Sequence, residues 1–290
     1  MTVLLLLAAL ADPSAQTHRY AEASERHVLD LYRPPSEASA ELPTPEATPR
    51  PVLLFVHGGA WLVGSKEAVR SKTAFLDDGY AVASMNYRLL RNPLKPAAAS
   101  EDPEVTVADQ AADVAAAIDW LADHAAEHRL DAERIVLMGH SAGAHLVALV
   151  ASDPQYLAVH DRTPTELAGV VLLDGAGYDV PLRMTDAQGT ERRLFGYVFT
   201  NDTPTQTRWS PVTHASQHTT PPMLILHVAD RRESTRQSER LAAAIRAGGS
   251  VAEVVPCPGK THSSLNRELG LPGDQPTQRT RRFLLGIASQ

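Results

Sequence analysis

The stretch RIVLMGHSAGAH, at residues 134–145, decides the fold of this chain. An apolar run ends at Gly139, Ser141 then lies between two glycines in the pattern G-x-S-x-G, and helix-forming residues follow. This order predicts a buried strand, a sharp turn at Ser141 and a helix. Such a turn is strained, leaves no room for a Cβ on its neighbours, and places the serine oxygen beside the positive end of the helix dipole. Ser141 is therefore the candidate nucleophile.

Apolar runs and helical patterns alternate along the rest of the chain. Strands are predicted at residues 27–32, 51–56, 80–87, 135–138, 169–174, 222–228 and 251–255. Helices are predicted at residues 66–78, 107–128, 238–247 and 279–287. Continuous apolar runs are typical of strands covered on both faces, and their alternation with helices predicts a mostly parallel central sheet with helices on both faces. We expect one α/β catalytic domain over residues 16–290.

Two segments interrupt this alternation. Residues 36–50 combine prolines with Ala, Glu and Thr, which predicts a solvated connection. Residues 175–211 carry scattered charges, glycines and aromatic side chains. A segment of that length without an obvious periodic pattern is often a lid or a binding loop. We therefore predict a lid-like insertion at about residues 175–211.

The composition excludes several classes of function. A net charge of −7 argues against nucleic acid as a partner. The single cysteine, Cys257, cannot form an internal disulfide and is typical of core packing. The histidines and carboxylates show no recognisable metal-ligand spacing, so no metal and no cofactor are expected.

The N-terminus resembles a secretory signal. An apolar run at residues 3–11 is too short to span a membrane and is followed by small residues before Gln16. We expect residues 1–15 to be a cleaved signal peptide and the protein to be exported, either periplasmic or secreted. Because no Lys or Arg precedes the apolar run, a folded first element in a cytoplasmic protein is the alternative. No other stretch approaches membrane-spanning length, so stable membrane insertion is not expected.

A serine hydroxyl needs a base and a group that orients the base. His262 follows the last strand by a short loop and is the predicted base. Asp230 directly follows the preceding strand and is the predicted orienting acid, because the order Ser141, Asp230, His262 is the order of the α/β-hydrolase sheet. Glu233 and Asp174 are the alternative acids, since Glu233 lies close to Asp230 and Asp174 also ends a strand.

The remaining strand-end and loop histidines receive other interpretations. His227, His140 and His145 are expected to be packed, whereas His214 and His218 could line a pocket. Stabilising the oxyanion of acyl transfer needs backbone donors. Ala142 N–H, directly after the nucleophile, is one candidate, and the glycine loop HGGAW at residues 57–61 offers Gly58 and Gly59.

Together these motifs resemble the α/β-hydrolases of the esterase and lipase group that carry an H-G-G loop. That group includes hormone-sensitive-lipase-like esterases, kynurenine-formamidase-like enzymes and bacterial feruloyl-esterase-like domains. The likeness runs from about His27 to the C-terminus and is carried by LDLYRP at 29–34, HGGAW at 57–61, NYRL at 86–89, Asp131 with Arg134-Ile135, GHSAG at 139–143 and THS at 261–263 with Asn266. The resemblance implies a triad and an oxyanion hole formed by the residues named above. Ala60-Trp61 replaces the third glycine of the lipase-type loop and is closer to the formamidase-like branch.

The resemblance implies a serine hydrolase that cleaves small-molecule carboxylic esters of small or medium acyl groups through an acyl-enzyme. An arylformamidase-type amidase and a catalytically inactive binding module on the same fold are the alternatives. Aromatic side chains offer flat apolar contact to an acyl or aryl group. We expect the pocket walls to include Trp61, Phe195, Tyr197, Phe199 and Trp209. The motifs leave the acyl preference and the oligomeric state open.

Overall fold

The computed structural model describes residues 15–33, 48–91 and 105–288. The predicted signal peptide lies outside these ranges except for Ala15, and so does most of the connection at 36–50. Both remain predictions.

One sheet organises the described part of the chain. Its strands are β1 (Ala15–Arg19), β2 (Val28–Tyr32), β3 (Arg50–Val56), β4 (Ala81–Met85), β5 (Leu130–His140), β6 (Gly169–Leu173), β7 (Met223–Val228) and β8 (Ala252–Cys257). They lie in the order β1-β2-β4-β3-β5-β6-β7-β8. Strands β3 to β8 pair in parallel, whereas β1 and β2 are antiparallel to their neighbours. The mostly parallel sheet is confirmed.

Helices connect these strands. They are α1 (Lys72–Asp77), α2 (Val107–Asp123), α3 (Ala125–His128), α4 (Ala142–Ser152), α5 (Gln155–Ala158), α6 (Val180–Asp186), α7 (Gly189–Val198), α8 (Thr203–Arg208), α9 (Pro211–Ala215), α10 (Arg232–Ala247), α11 (His262–Arg267) and α12 (Gln275–Ile287). Short 3₁₀ turns occupy Lys66–Ala68 and Pro164–Glu166. Capping residues explain where two of these helices begin. Thr106 and Asp109 form a reciprocal capping box at the start of α2, and Asp274 caps the start of α12.

The core has two layers, one on each face of the sheet. Successive residues of β3 point into opposite layers. Leu54 packs into the first hydrophobic cluster, and Leu53 and Phe55 pack into the second. The first cluster contains the buried faces of α2, α4 and α10, and the second contains residues of α1, α11 and α12. Helices therefore cover both faces, and the two-sided burial explains why the strands are continuous apolar runs.

Apart from two helices that start earlier than predicted, at Arg232 and Gln275, the structure differs from the predicted elements in four places. The helix expected at 66–78 is divided into the 3₁₀ turn Lys66–Ala68 and the helix α1. Strand β1 was not predicted, because AQTHR at an exposed sheet edge has no apolar alternation. The helix expected at 107–128 is divided at His124 into α2 and α3. The insertion at 175–211, which has no obvious periodic pattern in the sequence, contains the three short helices α6, α7 and α8 and ends at the start of α9. Asp179 and Asp202 cap two of them, and each of those has a proline in its first turn.

Candidate active site

Ser141 lies on the sharp turn between β5 and α4, in the strained backbone conformation that the sequence predicts. Its φ is +56° and its ψ is −118°. A Cβ on Gly139 would lie 2.4 Å from the carbonyl oxygen of Gly143, and a Cβ on Gly143 would lie 2.1 Å from the carbonyl oxygen of Val56. Both glycines are therefore required by close backbone contact.

His262 and Ser141 meet at the carboxyl edge of the parallel strands. Nε2 of His262, the first residue of α11, lies 3.0 Å from Oγ of Ser141. Nδ1 of the same ring lies 2.6 Å from Oδ2 of Asp174. A carboxylate only accepts, so Nδ1 carries the proton and Nε2 is free to accept the hydroxyl hydrogen of Ser141. The structure brings together the predicted serine and histidine.

The acid beside His262 is Asp174, and the expectation of Asp230 is wrong in this structure. Asp230 is exposed, and within the described residues no hydrogen bond or ion pair reaches its side chain. Strands β6 and β7 are neighbours whose carboxyl ends meet at one edge, so either aspartate satisfied the sequence argument. Asp174 is the acid because it follows β6 directly and its carboxylate accepts a hydrogen bond from the N–H of Val228, the last residue of β7. This N–H lies 3.0 Å from Oδ1 of Asp174. The alternative acid Glu233 contacts Arg231 instead.

Asp174 is buried and fully hydrogen bonded. Besides His262, it accepts from Val228 N–H, from the Ser234 hydroxyl and from the Arg231 guanidinium at 2.7 Å. Burial alone would raise the pKa of this carboxyl, but the hydrogen bonds and the Arg231 charge hold its pKa well below its usual range. Asp174 is therefore a fixed anion beside the imidazole at neutral pH. Arg231 and Ser234 belong to no recognisable motif, so the sequence pattern gives no signal for either residue.

The glycine loop after β3 lies against the nucleophile. A Cβ on Gly58 would lie 3.0 Å from Cβ of Ser141. Gly59 has a φ of +122°, and a Cβ there would lie 1.9 Å from the carbonyl oxygen of Val63. Ala142, which follows Ser141, is the first residue of α4. The three predicted oxyanion donors thus belong to the two segments that flank the serine oxygen.

The family follows from residues 39–245, which match the model named BD-FAE, a family of α/β-hydrolase esterases. This chain belongs to the BD-FAE family.

Among curated proteins, the chain is similar to the isoprenylcysteine alpha-carbonyl methylesterase ICME of Arabidopsis thaliana, with 26% identity over 83% of this chain and 54% of that protein. It is also 26% identical to esterase LipQ of Mycobacterium tuberculosis, over 84% of this chain and 56% of LipQ. The chain spans about half the length of these relatives. Propionate-bound esterase Est2 of Thermogutta terrifontis aligns with a TM-score of 0.70 and 27% identity over 95% of both chains. That esterase is also known with butyrate bound and phosphorylated by paraoxon.

This BD-FAE chain buries most of the aromatic side chains expected to form the pocket walls. Trp61, Phe195 and Trp209 are 2%, 5% and 9% exposed, and Phe199 is fully buried. Trp61 packs edge-on against Phe199, with ring centroids 4.8 Å apart. Tyr197 is exposed, but its hydroxyl donates to the carbonyl of Arg91. Trp61, Phe195 and Phe199 therefore pack on one another instead of forming an exposed wall, since Trp61 contacts both phenyl rings edge-on and the two phenyl rings stack. Trp209 is also buried.

His145 connects the glycine loop to the insertion. The indole N–H of Trp61 donates to Nδ1 of His145 at 3.3 Å, and Nε2 of His145 donates to the carbonyl of Trp209 at 2.8 Å. Both contacts are satisfied only by the neutral ring with its proton on Nε2. Burial lowers the pKa of His145 to about 4. The ring thus holds the glycine loop against helix α4.

Most of the other histidines considered in the sequence analysis have structural contacts. His140 donates from Nε2 to the carbonyl of His262 at 2.9 Å, and the two rings lie 4.7 Å apart. His57 contacts the carbonyl of Gly58 through Nδ1 and stacks on Tyr87. His227 is buried, His214 contacts the carbonyl of Arg208, and His218 is exposed. In the described part of the chain, no group of three or more His, Cys, Asp or Glu side chains could hold a metal ion. No helix in the same residues is long and apolar enough to cross a membrane.

The buried histidines make stability depend on pH. Burial lowers the pKa of His57, His140 and His145 from an ordinary 6.5 to about 4. Between pH 4 and pH 6.5 the unfolded chain binds more protons than the folded chain. The contribution of these histidines to the free energy of unfolding is therefore complete above pH 6.5 and is lost as the pH falls toward 4. We expect the free energy of unfolding to drop by about 5–6 kcal/mol between pH 7 and pH 5. Urea unfolding at both pH values measures this drop. His218→Gln, which removes an exposed histidine, should leave it unchanged, and an equal unfolding free energy at both pH values would contradict the account.

Proposed function

We propose that this protein is a carboxylic ester hydrolase that acts through an acyl-enzyme on Ser141. The observation that carries the proposal is the hydrogen-bonded chain from Ser141 Oγ through His262 to Asp174, with separations of 3.0 and 2.6 Å. Membership of an esterase family and likeness to named esterases support it.

The proposed reaction begins when Ser141 Oγ attacks the ester carbonyl carbon. His262 takes the hydroxyl proton on Nε2, and Asp174 stabilises the imidazolium that forms. The carbonyl oxygen becomes an oxyanion, and the N–H groups of the glycine loop at Gly58 and Gly59, together with Ala142 N–H, are the proposed donors.

The tetrahedral intermediate then collapses. The bond to the alcohol oxygen breaks, and His262 returns its proton to that oxygen, which leaves Ser141 acylated. Water attacks the acyl-enzyme with His262 as the base, and the acid product leaves with the serine restored. An inactive binding module is disfavoured, because the nucleophile, base and acid are all present within hydrogen-bonding distance.

The proposed substrates carry short acyl groups. Two observations support this preference: a similar esterase is known with propionate and with butyrate bound, and helices α6 and α7 carry the charged side chains Arg183, Glu191, Arg192 and Arg193. A long apolar tunnel would require a contiguous apolar lining. Each methylene that finds no apolar contact forgoes about 0.8 kcal/mol of binding free energy.

Steady-state kinetics on nitrophenyl esters tests both the activity and the preference. We expect kcat/KM to be highest between acetyl and butyryl and at least about tenfold lower for octanoyl and palmitoyl esters. A maximum at palmitoyl would contradict the short-acyl proposal. Turnover of N-formylkynurenine without any ester turnover would replace the ester hydrolase with an arylformamidase.

A further inference from the structure

Arg231 is a charged group at the site that the reaction as proposed above does not use. It lies between β7 and α10, with its side chain 34% exposed. Nη1 donates to Oδ2 of Asp174 at 2.7 Å, and Nε donates to Glu233 at 2.9 Å. The same Nη1 lies 3.2 Å from Nδ1 of His262.

The contact between Arg231 and His262 brings two donors together. A guanidinium only donates, and Nδ1 of His262 donates to Asp174, so the 3.2 Å approach is not a hydrogen bond. Both groups share one acceptor, Oδ2 of Asp174, while Oδ1 is held by Val228 N–H and Ser234. The carboxylate therefore cannot rotate without breaking a charge-assisted bond to Arg231.

This arrangement also places a permanent cation beside the ring that becomes positively charged during turnover. A like charge at this distance disfavours the protonated ring. Arg231 is not free to bind a substrate anion, because Asp174 and Glu233 already neutralise it on two sides. Its position therefore points to an effect on the triad and not to substrate recognition.

The other groups that face His262 do not account for such an effect. Among the described residues these are Asp174 from the end of β6, His140 from β5 and, through Arg231, Glu233 from α10. Burial, with His262 nearby, lowers the pKa of His140 to about 4, so His140 is uncharged above pH 5. Asp174 is anionic over the same range. Arg231 is thus the cation that counters Asp174 at the imidazole.

We propose that Arg231 is a positioning residue for ester hydrolysis, which holds the Asp174 carboxylate against His262 and biases the imidazole toward its uncharged, base-competent form at mildly acidic pH. This inference rests on the proposed esterase function.

The test is the pH profile of kcat/KM for nitrophenyl butyrate with Arg231→Gln. We expect the midpoint of the acid limb to move upward by roughly one pH unit, because the countering cation is gone. At the pH optimum, kcat should fall by about three- to tenfold while KM stays unchanged. Arg231→Lys should keep the acid limb near its wild-type position but lose part of kcat, since an ammonium lacks the planar fork.

Arg236→Gln is the matched control. Arg236 lies on α10 close to Arg231 in the chain and pairs with Asp186 on the surface, so its removal should leave the acid limb in place. An Arg231→Gln profile that overlays the wild-type profile would overturn the inference. So would an equal displacement of the acid limb in both Arg231→Gln and Arg231→Lys, because that pattern would not depend on the charge. Failure of the esterase proposal is seen separately, as wild-type protein that neither hydrolyses nitrophenyl butyrate nor reacts with paraoxon at Ser141.

Discussion

Ser141→Ala is expected to lower kcat for a short-chain nitrophenyl ester by about 10⁴- to 10⁶-fold, with the fold retained. The loss is large because the triad acts as a unit and the acyl-enzyme cannot form without the serine oxygen. In free energy this corresponds to roughly 5–8 kcal/mol of transition-state stabilisation. Alanine removes a single oxygen atom on a turn whose geometry is set by Gly139 and Gly143, so the substitution does not disturb packing.

Ser264→Ala is a suitable control for Ser141→Ala. Ser264 is a buried serine in α11 whose hydroxyl takes part in the helix cap with Thr261, and its loss should cost stability but not the chemical step. Far-ultraviolet circular dichroism and a thermal melt compare the folding of both variants. A Ser141→Ala protein with most of the wild-type kcat would show that another residue is the nucleophile.

Asp174→Asn is expected to lower kcat by about 10³- to 10⁴-fold, whereas Asp230→Asn should change it by less than about threefold. The amide nearly preserves the shape of the carboxylate, but it removes the charge that stabilises the imidazolium and no longer enforces the Nδ1–H tautomer of His262. Asp230 is exposed and lies outside the hydrogen-bonded chain. Steady-state kinetics of the two variants under one set of conditions gives the comparison.

The controls for Asp174→Asn must separate chemistry from folding, because the residue accepts four hydrogen bonds in a buried position. Ser234→Ala removes one of those donors without removing the charge, so it should be destabilising while retaining much more activity than Asp174→Asn. If Asp230→Asn proved the more damaging aspartate substitution, the triad described here would be wrong.

The sharp turn at Ser141 and the parallel sheet could be predicted because each depends on a local sequence pattern. Continuous apolar runs such as 51–56 and 169–173 reflect burial on both faces, and the glycines around Ser141 reflect contacts between backbones. His262 could be predicted because a short loop returns it to the same edge. These features do not require knowledge of how distant side chains pack.

There is a physical reason why the choice between Asp174 and Asp230 could not be predicted. Asp174 and Asp230 each follow a parallel strand, and adjacent strands end at one edge. What distinguishes them is the direction of each side chain, which depends on long-range donors: Val228 N–H, Ser234 and Arg231. Sequence spacing does not carry that information.

The prediction that the aromatic residues form the pocket walls was wrong for a related reason. Trp61, Phe195 and Phe199 were expected at the pocket surface because aromatic side chains on the glycine loop and in the insertion offer flat apolar contact to an acyl or aryl group. In the structure these rings pack on one another, and Trp61 and Phe199 also contact the ring of His145. The charged side chains of Glu191, Arg192 and Arg193 are exposed, whereas Arg183 is buried over the ring of Phe195. The insertion is an amphipathic helical segment whose short elements are too brief to give a clear helical period.

The central claim is that His262 and Asp174 activate Ser141, and reaction with paraoxon followed by peptide mapping tests it most directly. A similar esterase is phosphorylated by this compound. We predict one phosphoryl group per chain, on the peptide that carries Ser141, with a rate that falls by at least about a hundredfold in His262→Gln and in Asp174→Asn but not in Asp230→Asn. Labelling at another residue, or a rate at Ser141 that does not change in His262→Gln and Asp174→Asn, would contradict the account.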